Sequence, residues 1–190
     1  MPEITDFDAR PTSIDGLLLL TMKQVHDERG TVREFYRESA IAGAGLEALG
    51  PWRQVNVTYS RQGAIRGMHA EAMVKLVAVV AGEAFAAYLD LRPSSGTWGK
   101  VVTVELVPGT QVLVPSGVAN GFQAVSEGGC QYLYCFDDEW APGMAGMACT
   151  PLDPALGIDW PLPIDPEDPS QLSAKDRDAP LLSELGRSEP

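Results

Sequence analysis

Between Arg53 and Cys135 the chain repeats one pattern, a short alternating or β-branched run followed by a turn. Val74-Lys-Leu-Val-Ala-Val-Val80 stops at Ala81-Gly82-Glu83, and Phe85-Ala-Ala-Tyr-Leu-Asp-Leu91 stops at Arg92-Pro93-Ser94-Ser95-Gly96. Lys100-Val-Val-Thr-Val-Glu-Leu-Val107 ends at Pro108-Gly109, and Gln111-Val-Leu-Val114 runs into Pro115-Ser116-Gly117. Strands at a spacing of about 8 to 12 residues, punctuated this way, predict an all-β antiparallel sandwich or barrel. No long segment carries a 3.6-residue period; short helices are expected only at Ala40 to Leu49 and Pro180 to Leu185. From Pro142 onward prolines and acids accumulate, so this tail cannot build a core alone and is expected to wrap the barrel. The 190 residues predict one domain, with a barrel core over about 14–140 and a wrapping segment over about 141–190.

Charge narrows the partners. A formal net charge of −12 repels phosphate backbones, which argues against nucleic-acid binding. An anion could bind only where arginines locally overcome that field. No apolar run approaches the roughly 20 residues of a membrane helix; Leu17 to Leu20 is too short, and Asp15 and Lys23 flank it. The N-terminus lacks an export signature, and a cytoplasmic location with no membrane partner is expected. Cys130, Cys135 and Cys149 form no CxxC pair and have no histidine near them in sequence, so they read as small apolar packing residues.

Chemistry has few candidates. Of the two histidines, His26 lies beside Asp27 and Glu28 in a polar turn and reads as a surface residue. His69 ends the glycine-punctuated strand Gly63-Ala-Ile-Arg-Gly-Met-His69. Alternation puts Gly67 and His69 on one face and Arg66 and Met68 on the other, unless a bulge at Gly67 re-aims them. On residues alone, a structural and a catalytic His69 both stay open. Lys75 opens an otherwise apolar strand, either snorkelling from its end or aimed into a cavity where it could stabilise an oxyanion. One barrel histidine is too few for a metal centre, so no metal and no cofactor are expected.

The ordered motifs resemble the dTDP-4-dehydrorhamnose 3,5-epimerase family. They are Asp27-Glu-Arg29-Gly30, Gln54-Val-Asn56, Arg66-Gly-Met-His69, Lys75-Leu-Val77, Asp90-Leu-Arg92 with Ser95-Gly-Thr97-Trp-Gly99, Val114 to Phe122, Leu152 to Pro161 and Leu172-Ser-Ala-Lys-Asp176. The resemblance implies a cupin, or jelly-roll, β-barrel, a homodimer exchanging N-terminal strands, and a dTDP-4-keto-6-deoxyhexose substrate. It implies His69 as the base, Asp176 as its orienting carboxylate and Lys75 beside the enolate oxygen. Arg29, Glu34, Gln54, Asn56, Arg66, Asn120 and Trp140 would bind the substrate.

Several positions depart from the pattern. Trp140 stands where the resemblance puts a tyrosine acid, and Tyr134 matches a structural tyrosine. Asn120 replaces a histidine and Ala86 an aspartate, and the His69–Lys75 segment is about four residues short. The departures leave two alternatives beside 3- or 3,5-epimerisation. One is an isomerase or cyclase acting on a non-nucleotide secondary metabolite; the other is a non-catalytic binding protein.

Overall fold

A computed structural model of the protein describes residues 2–46 and 50–186. In chain order the strands are β1 (Glu3–Thr5), β2 (Asp8–Pro11), β3 (Leu18–Thr21), β4 (Lys23–Asp27), β5 (Gly30–Glu34), β6 (Gln54–Ser60) and β7 (Ile65–Glu71). They continue with β8 (Lys75–Ala81), β9 (Ala84–Asp90), β10 (Val101–Leu106), β11 (Thr110–Val114), β12 (Val118–Ala124), β13 (Cys130–Phe136) and β14 (Gly146–Ala148). Among the described residues, three short helices, α1 (Glu38–Gly43), α2 (Ala174–Arg177) and α3 (Leu182–Leu185), and a 3₁₀ turn at Pro154–Leu156 accompany the strands. The expected helix at Ala40 to Leu49 begins earlier and ends by Gly43; positions 47–49 lie outside the described residues. The expected helix near Pro180 is the single turn α3.

Two antiparallel sheets face each other in a jelly roll. One has the order β2-β3-β11-β8-β13-β6, the other β10-β9-β12-β7-β14. Between them lies the main core, where Val77, Val79, Tyr88, Val112, Val118, Phe122 and Tyr132 interdigitate. The outer faces are covered as well. Leu20, Leu76, Leu113 and Cys135 pack against Ile41 of α1. On the other sheet Met68, Ala70, Leu89 and Ala119 pack beneath Leu156, Trp160, Leu182 and Leu185 of the tail. Burial on both faces explains why β8 reads as a continuous apolar run rather than an alternating one.

That run still has parity. Leu76 faces the α1 side while Val77 and Val79 face the barrel interior, so Lys75 begins the inward row. On β13 the inward row is Tyr132, Tyr134 and Phe136, an aromatic column joined by the stacking of Tyr132 on Phe122 at 4.0 Å between centroids.

The tail is tied down by specific bonds. Gln123 of β12 donates to the Leu162 carbonyl at 3.0 Å and accepts from the Leu162 N–H at 2.9 Å. Separately, β1, β4 and β5 form a small three-stranded sheet of their own. No helix among the described residues is long and apolar enough to cross a membrane.

Candidate active site

The open end of the barrel holds a cavity of about 490 Å³. Its walls come from β6, β7, β8, β12 and β13, and its lip from the tail around Ser170–Asp176.

Strand β7 lines this cavity with Ile65, Arg66, His69 and Glu71, and its register slips along the way. Asn120 pairs with His69 and Phe122 with Arg66, so Gly121 alone stands opposite Gly67 and Met68. This bulge returns Arg66 and His69 to the same cavity wall while Met68 packs outward beneath the tail. The simple alternation expected at Arg66 is therefore replaced by the bulged alternative. Gly67 makes it possible: its φ is +119°, and a Cβ there would lie 2.5 Å from the Gly121 Cα.

His69 meets the tail. Its Nε2 donates to Asp176 Oδ1 at 2.6 Å. A carboxylate accepts only, so this bond puts the ring proton on Nε2 and leaves Nδ1 with a free lone pair. Asp176 is itself held in place by α2. Ser173 caps that helix by accepting from the Asp176 N–H at 3.1 Å, and the Gly67 N–H approaches the Asp176 carboxylate at 3.5 Å. Burial opposes the charge on Asp176, yet the His69 contact, the Ser173 side chain and the Gly67 N–H outweigh it and hold the carboxyl below its ordinary value.

Lys75 is buried at the cavity floor, 2% exposed. Its Nζ donates to Asn120 Oδ1 at 2.6 Å, to the His69 carbonyl at 3.3 Å, and to the Glu71 carboxylate. Burial lowers the lysine's affinity for its proton, and Glu71 acts in the opposite direction. The short His69–Lys75 connection thus keeps Lys75 in the cavity.

Facing His69 across the barrel, on the other sheet, is Tyr134. Burial pushes its phenol far above the ordinary range, so it is a proton donor and not a base at neutral pH. Asn56, Thr58 and Phe136 line the same side, and Trp140 caps the rim, about half exposed. Among the described residues, no cluster of His, Cys, Asp and Glu side chains could hold a metal ion.

The match to known proteins is broad. The sequence profile of the dTDP-4-dehydrorhamnose 3,5-epimerases matches residues 11–184. This chain belongs to that family. It is 35% identical to the dTDP-4-dehydrorhamnose 3,5-epimerase of Salmonella typhimurium over 182 residues, covering 91% of this chain and 94% of that one. It is 33% identical to a dTDP-4-dehydrorhamnose 3-epimerase of Streptomyces niveus, covering 92% and 84%. Among solved structures it superposes on NovW, a 4-keto-6-deoxy sugar epimerase from Streptomyces spheroides, with TM-score 0.82 at 31% identity, covering 97% and 92%. It also superposes on an epimerase from Legionella pneumophila solved with dTDP-4-keto-L-rhamnose, with TM-score 0.81 at 33% identity, covering 95% and 97%.

Set against these epimerases, the expected residues divide in two. His69, Asp176, Lys75, Asn56, Arg66, Asn120 and Trp140 converge on the cavity. Gln54 stands just behind it, donating to Asn56 Oδ1 at 3.1 Å and accepting from the Trp140 N–H at 2.8 Å. Arg29 and Glu34 do not reach this cavity within one chain. Arg29 pairs with Asp27 at 2.6 Å on the β4–β5 hairpin, 90% exposed, and Glu34 pairs with Arg37. The small sheet carries them away from the barrel mouth.

Among the cavity residues that the sequence reading did not assign to the site are Glu71 and Tyr134. Glu71 lies two positions from His69 on an inward row, and Tyr134 lies between two inward aromatics; strand parity carried the signal for both. His26 is exposed, with Nδ1 2.8 Å from Thr31 Oγ1, as expected of a surface residue. The three cysteines are unpaired and buried, and burial pushes each thiol up to about 11.

Proposed function

We propose that the protein epimerises a dTDP-4-keto-6-deoxyhexose beside its ketone, in deoxysugar biosynthesis. The observation that carries this is the 2.6 Å His69–Asp176 pair opening onto the same cavity as a buried lysine. A C4 ketone acidifies the hydrogens on C3 and C5. His69 Nδ1 removes one, Asp176 steadies the resulting imidazolium, and the electron pair moves to the C4 oxygen as an enolate. The Lys75 ammonium stands where that oxygen is stabilised. Tyr134, on the opposite sheet, returns a proton to the other face of the carbon, which inverts it. With this phenol in the cavity, Trp140 is free to pack against substrate at the rim. Arg66, whose Nε is held by Ser60 Oγ at 2.9 Å, presents a fork suited to diphosphate oxygens, with Asn56 and Asn120 beside it.

The working unit in this reading is a homodimer with exchanged N-terminal strands. The exposed apolar side chains Val55, Val57 and Tyr59 on edge strand β6, and Val32 and Ile4 on the small sheet, support it. A partner's hairpin laid along β6 would bring Arg29 and Glu34 toward the cavity. A cytoplasmic location completes the proposal, in keeping with three cysteines left unpaired.

The test is solvent exchange. Incubation of dTDP-4-keto-6-deoxyglucose with the protein in D2O is expected to place deuterium at C3 or at both C3 and C5. His69→Ala is expected to abolish it while leaving the fold intact. No deuterium at either carbon with the wild-type protein refutes the proposal.

A further inference from the structure

Lys75 cannot be treated as a free cation waiting for an oxyanion. An ammonium has three hydrogens, and all three are committed: to the Glu71 carboxylate, the Asn120 amide oxygen and the His69 carbonyl. Glu71 is the only one of these acceptors with a formal charge. We propose that Glu71 is the positioning residue for Lys75, holding the ammonium charged and fixed between β7 and β12, where the enolate oxygen forms; the role rests on the epimerase reading above.

Three observations support the assignment. First, the pair is built into the wall: Glu71 and His69 share the inward row of β7, and the Glu71 carbonyl accepts from the Gly117 N–H at 3.3 Å, which ties its backbone to the turn before β12. Second, among the described residues Lys75 has no other counter-ion in contact. The residues paired with it on the neighbouring strands, Val114 of β11 and Phe136 of β13, are apolar. The remaining ionisable groups of this cavity are His69 and Arg66 on β7, Tyr134 on β13, and Lys175 and Asp176 at the tail, and Asp176 is bonded to His69. Third, a buried ammonium with no partner gives up its proton, because burial disfavours the charged form. Without Glu71 the lysine would become a neutral amine over part of the working pH range and lose its hold on an enolate.

The acceptor pattern also assigns a purpose to Asn120. Its oxygen anchors the lysine from the second strand, a task that needs an acceptor and no titratable ring. The weakest of the three contacts, the 3.3 Å bond to the His69 carbonyl, is then the one the C4 oxygen replaces on binding.

Glu71→Gln keeps the shape and an acceptor oxygen but removes the charge. The titration of Lys75 Nζ, followed by NMR on protein labelled with 15N-lysine and assigned with Lys75→Arg, is expected to fall by about one pH unit or more. The alkaline limb of the exchange rate is expected to fall by the same amount, while KM changes little. Glu71→Asp, which retains the charge, is expected to restore most of the wild-type titration; if the glutamine variant does not fold, Glu71→Ala, which also lacks the charge, takes its place. An unmoved Lys75 titration in the uncharged variant overturns the proposal, as does a rate loss there equal at every pH. Wild-type protein that exchanges no deuterium would instead refute the epimerase reading, and the Nζ titration would still decide what Glu71 does to Lys75.

Discussion

Replacing Gly67 with alanine tests whether the β7 bulge creates the site. The added Cβ would stand 2.5 Å from the Gly121 Cα and 2.7 Å from the Asn120 carbonyl oxygen. Carbon atoms pack at about 3.5 to 4.0 Å, so β7 and β12 must part by about 1 Å. Both obstacles are backbone, and no side chain can swing aside to relieve them. Holding a non-glycine residue at φ +119° costs about 1–3 kcal/mol, and overpacking adds about 1–3 kcal/mol. The sum is about 4 kcal/mol at its centre. For a chain of this size each kcal/mol lowers Tm by about 2–4 °C, so a fall of about 12 °C is expected in a thermal melt.

The functional effect follows from where that shift lands. His69 is two residues further on, and its partner approaches at 2.6 Å. A displacement of about 1 Å at a reacting group costs about 100-fold in rate, readable as deuterium incorporation well below the new Tm. Gly128→Ala is the control. Gly128 is exposed, with nothing within 4 Å of its Cβ position, and its change should stay within about 0.5 kcal/mol. A Gly67→Ala protein that melts with the wild type and exchanges at the same rate would refute the reasoning.

Further outcomes follow from the same geometry. Asp176→Asn should lower the exchange rate by about 10²- to 10⁴-fold with little change in KM, since it removes the charge that steadies the His69 imidazolium. Asp90, fully buried and bonded to Arg92, Ser95 and Thr97, should cost about 3–5 kcal/mol as Asp90→Ala, measured by denaturant unfolding. Burial opposes its charge, but those bonds win and hold its carboxyl well below the usual range. Its contribution is therefore complete above the unfolded value of about 4 and fades as pH falls toward the folded one, so the gap between wild type and variant should narrow in acid. Added dTDP at about 100 times its Kd should stabilise the wild type by about 2.7 kcal/mol in a thermal melt, and Arg66→Ala should lose most of that gain.

The strands between Arg53 and Cys135 were legible because turn residues and parity are local properties. Lys75, His69 and Asp176 were legible through their motifs, although only the folded chain joins positions 107 residues apart. What stayed hidden depended on relations between strands. The outward or inward aim of Arg66 turned on whether Gly67 and Met68 share one partner, which no alternation count decides. Tyr134 read as structural by its place in a motif, yet its parity with Tyr132 and Phe136 puts it on the cavity wall. Glu71 went unnoticed because its meaning lies in the lysine it faces. Arg29 and Glu34 carry the right letters, and a single chain holds them apart from the pocket those letters suggest.

The placement of Asp176 has a consequence for how the molecule comes to work. The tail does more than cover the barrel: β14 adds a strand to one sheet, and Asp176 brings His69 its carboxylate. Only when α2 docks across a 107-residue separation does the imidazole acquire a fixed tautomer. A tail lifted from the barrel would therefore cost His69 its partner and uncover the apolar face formed by Met68, Ala70, Leu89 and Ala119.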